Sequence, residues 1–206
     1  MPEVMHLPPL ELCQQNLPAD EFGTTSQLLN EIGQGDDAVA VMLTCWELGF
    51  APDRLSHANP GEIMVFQNPG GLVPSEDTNE PSSFLDSIFF GLASPKVRHL
   101  IVCGHSQCKT LQLIFAEEQG PKANPFHALM HRVRERFEAT YNVRPARDWP
   151  CIVAQENILQ QLANLRSHTS IPTRLREGTL LLHGWIRDDQ SSAIAAYDPV
   201  AGQFCR

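Results

Sequence analysis

The stretch VCGHSQCK, Val102 to Lys109, places one histidine and two cysteines within six positions. Imidazole and thiolate hold borderline-soft divalent cations, thiols also exchange disulfides, and both side chains are common in cores. Three readings therefore stand side by side: a metal site, a redox pair, or buried thiols beside a core histidine. The spacing of Cys103 and Cys108 is not the Cys-x-x-Cys of a redox motif. His-x-x-Cys supplies two or three ligands where zinc usually takes four, so any metal reading needs a partner from elsewhere in the chain.

That partner depends on the elements that carry these residues. AVAVMLTC, Ala38 to Cys45, is a continuous apolar run with β-branched members, the pattern of a strand buried on both faces. IMVFQN, Ile63 to Asn68, is a second such run, closed by PGG at 69 to 71, and VRHLIVCGH, Val97 to His105, is a third. Between the last two, SSFLDSIFFGLASP has Phe84, Leu85, Ile88, Phe89 and Leu92 at helical spacing, with Ser82 or Ser83 as N-cap and Pro95 beyond the end. Helices are predicted over Cys108 to about Gln119, about Pro125 to Tyr141, and Cys151 to His168, the last with Ile152, Ile158, Leu159, Leu162 and Leu165 on one face. Thr179 to Ile186 and Ala193 to Tyr197 read as closing strands.

Strands alternating with helices predict an α/β fold with a mainly parallel central sheet flanked by helices. In such sheets ligands bind beyond the carboxyl ends of the strands. Cys45 and His105 both end strands, and Cys108 follows in the first turn after the third. Neighbouring parallel strands would join Cys45, His105 and Cys108 into a Cys₂His set, and three protein ligands with an open fourth position is the pattern of a catalytic zinc.

Composition narrows the remaining classes. The 206 residues carry a formal charge of −9, which disfavours nucleic acid as a partner, because Lys and Arg supply most of that affinity. The arginines of HRVRERF alternate two apart and spread around a helix surface. The N-terminal sequence has neither a basic leader nor a continuous apolar run, and no segment reaches membrane-spanning length, so a cytoplasmic, membrane-free protein is expected. Residues 1–20, rich in proline, read as an N-terminal arm ordered only by packing on another surface, such as a partner subunit, and 21–206 as a single domain.

The ordered set of motifs resembles the β-class carbonic anhydrases over most of the chain. CWELGFAP (45 to 52), NPGEIMVFQNPGGLVP (59 to 74), CGHSQCK (103 to 109), QENILQQLANL (155 to 165) and LLLHGWIRDD (180 to 189) follow that family's order with compatible spacing. The resemblance implies Zn2+ held by Cys45, His105 and Cys108, reversible hydration of carbon dioxide to bicarbonate and a proton, and a homodimer or a higher even oligomer.

Against the family's Cys-x-Asp-Ser-Arg motif, Glu47 stands at the aspartate and Gly49 at the arginine that normally holds it off the metal. Gln67 replaces the arginine of Arg-Asn-Ala-Gly-Asn, Asn68 is kept, and Lys109 replaces a glycine. Glu47 is therefore assigned a supporting catalytic role, either at the fourth metal position or beside it, and Lys109 or Arg54 could supply the missing charge. Two functions follow: a zinc-dependent carbonic anhydrase, or a catalytically impaired zinc-binding relative with a structural or regulatory role. Cys103 is assigned to the core, His183 to packing, and His57, His99, His127, His131 and His168 to no site.

Overall fold

The structure, a computed structural model, describes residues 7, 17–34, 37–48, 58–78, 82–113, 134–135, 137–141 and 148–205. Its strands are β1 (Ala40–Cys45), β2 (Ile63–Asn68), β3 (His99–His105), β4 (Leu181–Arg187), β5 (Ile194–Asp198) and β6 (Gln203–Cys205). They form one sheet in the order β2-β1-β3-β4-β5-β6. The first four run parallel, and β5 and β6 continue it as an antiparallel hairpin.

Both faces of the central strands are buried, as the continuous apolar runs require. Val41, Leu43, Leu100 and Val102 face one core, whereas Ala40, Met42, Ile101 and Cys103 face the other with Trp185. The helices are α1 (Thr25–Glu31), α2 (Ser83–Leu92), α3 (Lys109–Gln112), α4 (Trp149–Ser167) and α5 (Ser170–Arg176). Ser82 caps α2 by accepting from Leu85 N at 3.2 Å.

Helix α4 lies against the carboxyl half of β3 and β4. Ile152, Ile158, Leu159, Leu162 and Leu165 are all 0% exposed. It can approach this closely because Gly104 and Gly184 face it: a Cβ at Gly104 would stand 2.9 Å from two carbons of Ile158. The strand that ends in His105 is thereby pressed onto the longest described helix.

The sequence patterns place the strands within two residues of their observed ends. Short elements escape them. Helix α1 rests on a capping box between Thr24 and Gln27 rather than on periodicity. Helix α5 contains Pro172, which an α-helix tolerates in its first turn, and β6 spans only three residues. Of the helix predicted over 125–141, residues 134–135 and 137–141 are helical, and the rest lies outside the described residues, as does the predicted extension of α3 beyond Leu113.

Of the N-terminal arm, Leu7 and residues 17–20 are described, and Leu7 and Leu17 pack on the core. Just after it, Glu21, 5% exposed, takes a bidentate ion pair from Arg166 at 2.5 and 2.7 Å. No described helix is long and apolar enough to cross a membrane.

Candidate metal centre

Cys45 is the last residue of β1 and His105 the last of β3, and these strands are parallel neighbours paired through Thr44 and Cys103. Cys108 caps the N-terminus of α3. The three candidate ligand atoms lie within 4.8 Å of one another, and all three residues are buried.

The two sulfurs are 3.6 Å apart. That is far beyond the roughly 2.05 Å of a disulfide. It is close to the separation of about 3.8 Å that two thiolates take on a tetrahedral zinc at about 2.3 Å.

His105 Nδ1 lies 2.8 Å from Asp189 Oδ2, so it carries the proton that the carboxylate accepts. Nε2 is buried and has no hydrogen-bond partner among the described residues. An orphaned buried nitrogen costs about 1–3 kcal/mol unless something occupies its lone pair. A nitrogen with a fixed tautomer, aimed into a pair of thiols, fits a thiophilic divalent cation such as zinc.

The backbone N–H groups of Glu47 and Gly70 favour the thiolate of Cys45, and that of Leu111 favours the thiolate of Cys108. Cys45 is drawn down to about 5, first by its hydrogen bond with Cys108, which outweighs burial, and then by His105 and the two backbone donors. Cys108 is pushed up strongly by sharing its proton with the Cys45 thiolate and by burial. Burial disfavours the His105 cation, yet the Asp189 carboxylate and the Cys45 thiolate raise it to about 9. Thiolates and a neutral imidazole are the forms that bind a metal, so a divalent cation taken up here would displace the protons these groups hold.

Cys103 takes no part. It sits 1% exposed among the residues of the opposite face, where burial pushes its thiol up to about 12. His183 packs against His99, with their ring nitrogens 2.9 Å apart, far along the strands from the metal cluster.

Glu47 does not join the ligand cluster. It sits on a 3₁₀ turn, Trp46–Leu48, directly after Cys45. Its Oε2 accepts from Lys109 N at 2.9 Å, and its Oε1 accepts from Thr110 N at 2.7 Å and from the Thr110 hydroxyl. The Trp46 indole donates to the same hydroxyl at 3.2 Å. Desolvation favours the neutral acid, but the Thr110 and Lys109 donors and the nearby His105 outweigh it and hold the carboxyl below its usual range. Lys109 thus reaches Glu47 through its main-chain N–H. Gly49 and Arg54 lie outside the described residues.

Asn68 brackets the turn after β2: its Nδ2 donates to Leu72 O at 2.7 Å and its Oδ1 accepts from Leu72 N at 2.8 Å. Gln67 beside it is exposed.

Asp189 is the site residue that sequence reasoning missed. It also accepts from Gln107 N at 2.8 Å and from Arg187 Nη1 at 3.3 Å. The available signal was the pair of aspartates after the strand that must lie beside His105; the register sets His105 opposite Arg187. Asp189→Ala is expected to weaken zinc binding by about 10- to 100-fold, the usual cost of losing a partner behind a metal-bound histidine. Competition with a chromophoric chelator measures this, and Asp189→Asn, which keeps an acceptor without the charge, should fall between the two.

The carbonic anhydrase family profile matches residues 40–194. Carbonic anhydrase 1 of Escherichia coli O157:H7 is 30% identical over 188 residues, covering 90% of this chain and 85% of that protein. A carbonic anhydrase of Pseudomonas aeruginosa is 29% identical, covering 90% and 84%. Among solved structures, the β-carbonic anhydrase CcaA superposes with a TM-score of 0.74 at 24% identity, covering 88% of this chain and 89% of its own. A structure from work on two tetrameric β-carbonic anhydrases of Sordaria macrospora gives 0.64 at 19% identity, covering 84% and 86%. Both share the fold.

Proposed function

Because the chain belongs to the β-class carbonic anhydrase family, we propose that it is a zinc-dependent lyase catalysing the reversible hydration of carbon dioxide to bicarbonate and a proton. The observation that carries this reading is the convergence of Cys45 Sγ, His105 Nε2 and Cys108 Sγ within 4.8 Å, with Nε2 otherwise unpartnered. These three residues would hold the ion. When bound, zinc supplies the Lewis acidity that makes water a source of hydroxide near neutral pH.

The chain's own groups do the rest. Asp189 keeps the His105 proton on Nδ1 and so leaves Nε2 free for the cation. Glu47 is kept ionised and kept out of the ligand cluster by Lys109 and Thr110, the task that an arginine performs in the family motif. A carboxylate offers about four acceptor sites, and three bonds to Glu47 leave one, on Oε2, to orient the attacking water.

In this reading residues 21–206 act as one domain and 1–20 as an arm that packs within a homodimer or larger even assembly, in keeping with the tetrameric relatives. A cytoplasmic setting agrees with free thiols at Cys45, Cys103, Cys108, Cys151 and Cys205.

Gly49 at the family's arginine position favours a second reading, an impaired zinc-binding relative with a structural or regulatory role. Elemental analysis of purified protein should give about one zinc per chain, as a Cys₂His site requires. Stopped-flow hydration of carbon dioxide should then exceed the uncatalysed rate. Folded protein that takes no zinc overturns both readings, and zinc-loaded protein at the background rate at both pH 7 and pH 9 leaves only the second.

A further inference from the structure

The parallel pairing of β3 with β4 ends at His105 and Arg187, so Asp188 and Asp189 leave the sheet where Asp189 meets the imidazole. One further bond continues the ladder, Ser106 N donating to Arg187 O at 2.9 Å. Beyond it the Ser106 side chain takes over. Its hydroxyl accepts from Asp189 N at 3.1 Å and donates to Asp188 Oδ1 at 3.3 Å.

A hydroxyl carries one proton and two lone pairs, so it can serve an N–H and a carboxylate at once. Ser106 and Asp188 are 5% and 8% exposed, and water is a poor substitute for bonds made at that depth. Asp188 is in turn bound into the turn that follows. Its Oδ1 accepts from Gln190 N at 3.1 Å, its Oδ2 from the Ser191 hydroxyl at 2.7 Å, and its carbonyl from Ser192 N at 2.8 Å.

Asp189 is therefore gripped twice by consecutive residues at the end of β3. His105 Nδ1 meets its carboxylate at 2.8 Å, and the Ser106 hydroxyl holds its main-chain N–H. Fixing the main chain limits where the carboxylate can go. A chain of hydrogen bonds thus runs from Ser106 through Asp189 to the imidazole whose Nε2 faces the two thiols.

We propose that Ser106 is a positioning residue for the metal centre: by holding the main chain of Asp189 it aims the carboxylate at His105 and so sets the affinity of Nε2 for the cation. This rests on the metal-site reading above.

The expected signature is non-additivity. In the full-length chain, Ser106→Ala should raise the zinc dissociation constant, read by chelator competition, about tenfold, the lower end of the cost of losing a partner behind a metal ligand. In the Asp189→Ala background the same substitution should change affinity by less than about twofold, because the carboxylate it positions is gone. A serine that only supports the fold would weaken binding by the same factor in both backgrounds. Coupling is reciprocal, so zinc loading of the wild-type protein should slow hydrogen exchange at the Asp189 amide by about the same tenfold and leave the Ser192 amide of the same turn nearly unchanged. That measurement needs no variant and stands if Ser106→Ala fails to fold. Unchanged affinity in Ser106→Ala, equal factors in the two backgrounds, or equal slowing at both amides overturns the proposal. Wild-type protein that takes up no zinc instead overturns the metal site itself.

Discussion

Cys45→Ser is expected to strip the protein of its zinc while leaving the sheet intact. Serine preserves shape, so Val41 and Leu43 on the same face keep their packing, but its hydroxyl is not ionised near neutral pH and is a hard, weak donor for zinc. A structural zinc site is worth about 10–16 kcal/mol, shared among about four ligands, so losing one thiolate should weaken binding by about 2.5–4 kcal/mol, or roughly 10²- to 10³-fold. Zinc content after dialysis against a weak chelator should fall from about one per chain to a small fraction of that, as the three-ligand site requires. Thermal unfolding offers an independent reading. Added zinc stabilises wild-type protein by mass action and should leave Cys45→Ser nearly unmoved. His105→Ala should behave likewise. Full zinc occupancy in either variant would remove that residue from the ligand set.

The positions of these candidate ligands were legible in the sequence because the strands that present them are buried on both faces. A continuous apolar run has few alternatives, and the end of a parallel strand is where side chains can leave the core. Hence the strand pattern alone sets Cys45 and His105, sixty positions apart, side by side. Their supports were harder to read. Asp189 meets His105 across 84 positions through the register of β3 and β4, which no local spacing reveals.

The partners of Glu47 are two main-chain N–H groups and a threonine hydroxyl, so a search for a replacement cation among Arg54 and Lys109 could not find them. Backbone donors belong to every residue type and leave no mark in composition. Ser106 was visible as a letter in CGHSQCK, but its meaning lies in the Asp189 main chain that it holds.

Glu47→Ala is expected to keep the zinc and lose the rate. The carboxylate stands outside the ligand cluster, so about one zinc per chain should remain, as for any intact Cys₂His site. Its remaining acceptor site is where it can take a hydrogen bond from the attacking water, and a positioned proton acceptor contributes about 10²- to 10⁴-fold. The variant's hydration rate, measured by stopped flow on zinc-loaded protein, should therefore fall at least about 10²-fold. Glu47→Gln separates charge from shape. Its amide oxygen can still accept from Lys109 or Thr110, but the group no longer carries the negative charge, so a comparable fall locates the effect in the ionised carboxylate. Acid titration of stability gives a second check. The folded carboxyl lies below its ordinary value, so its contribution is present above the unfolded carboxylate range and is lost as pH falls through the folded value, a loss that Glu47→Gln should abolish. A different geometry would reverse the sign of the main result: a carboxylate that leaves Lys109 and Thr110 to take the open metal position blocks the reaction, and its removal would raise the rate. The direction of the change thus decides whether the Lys109 and Thr110 donors replace the missing arginine or only hold a group that competes with water.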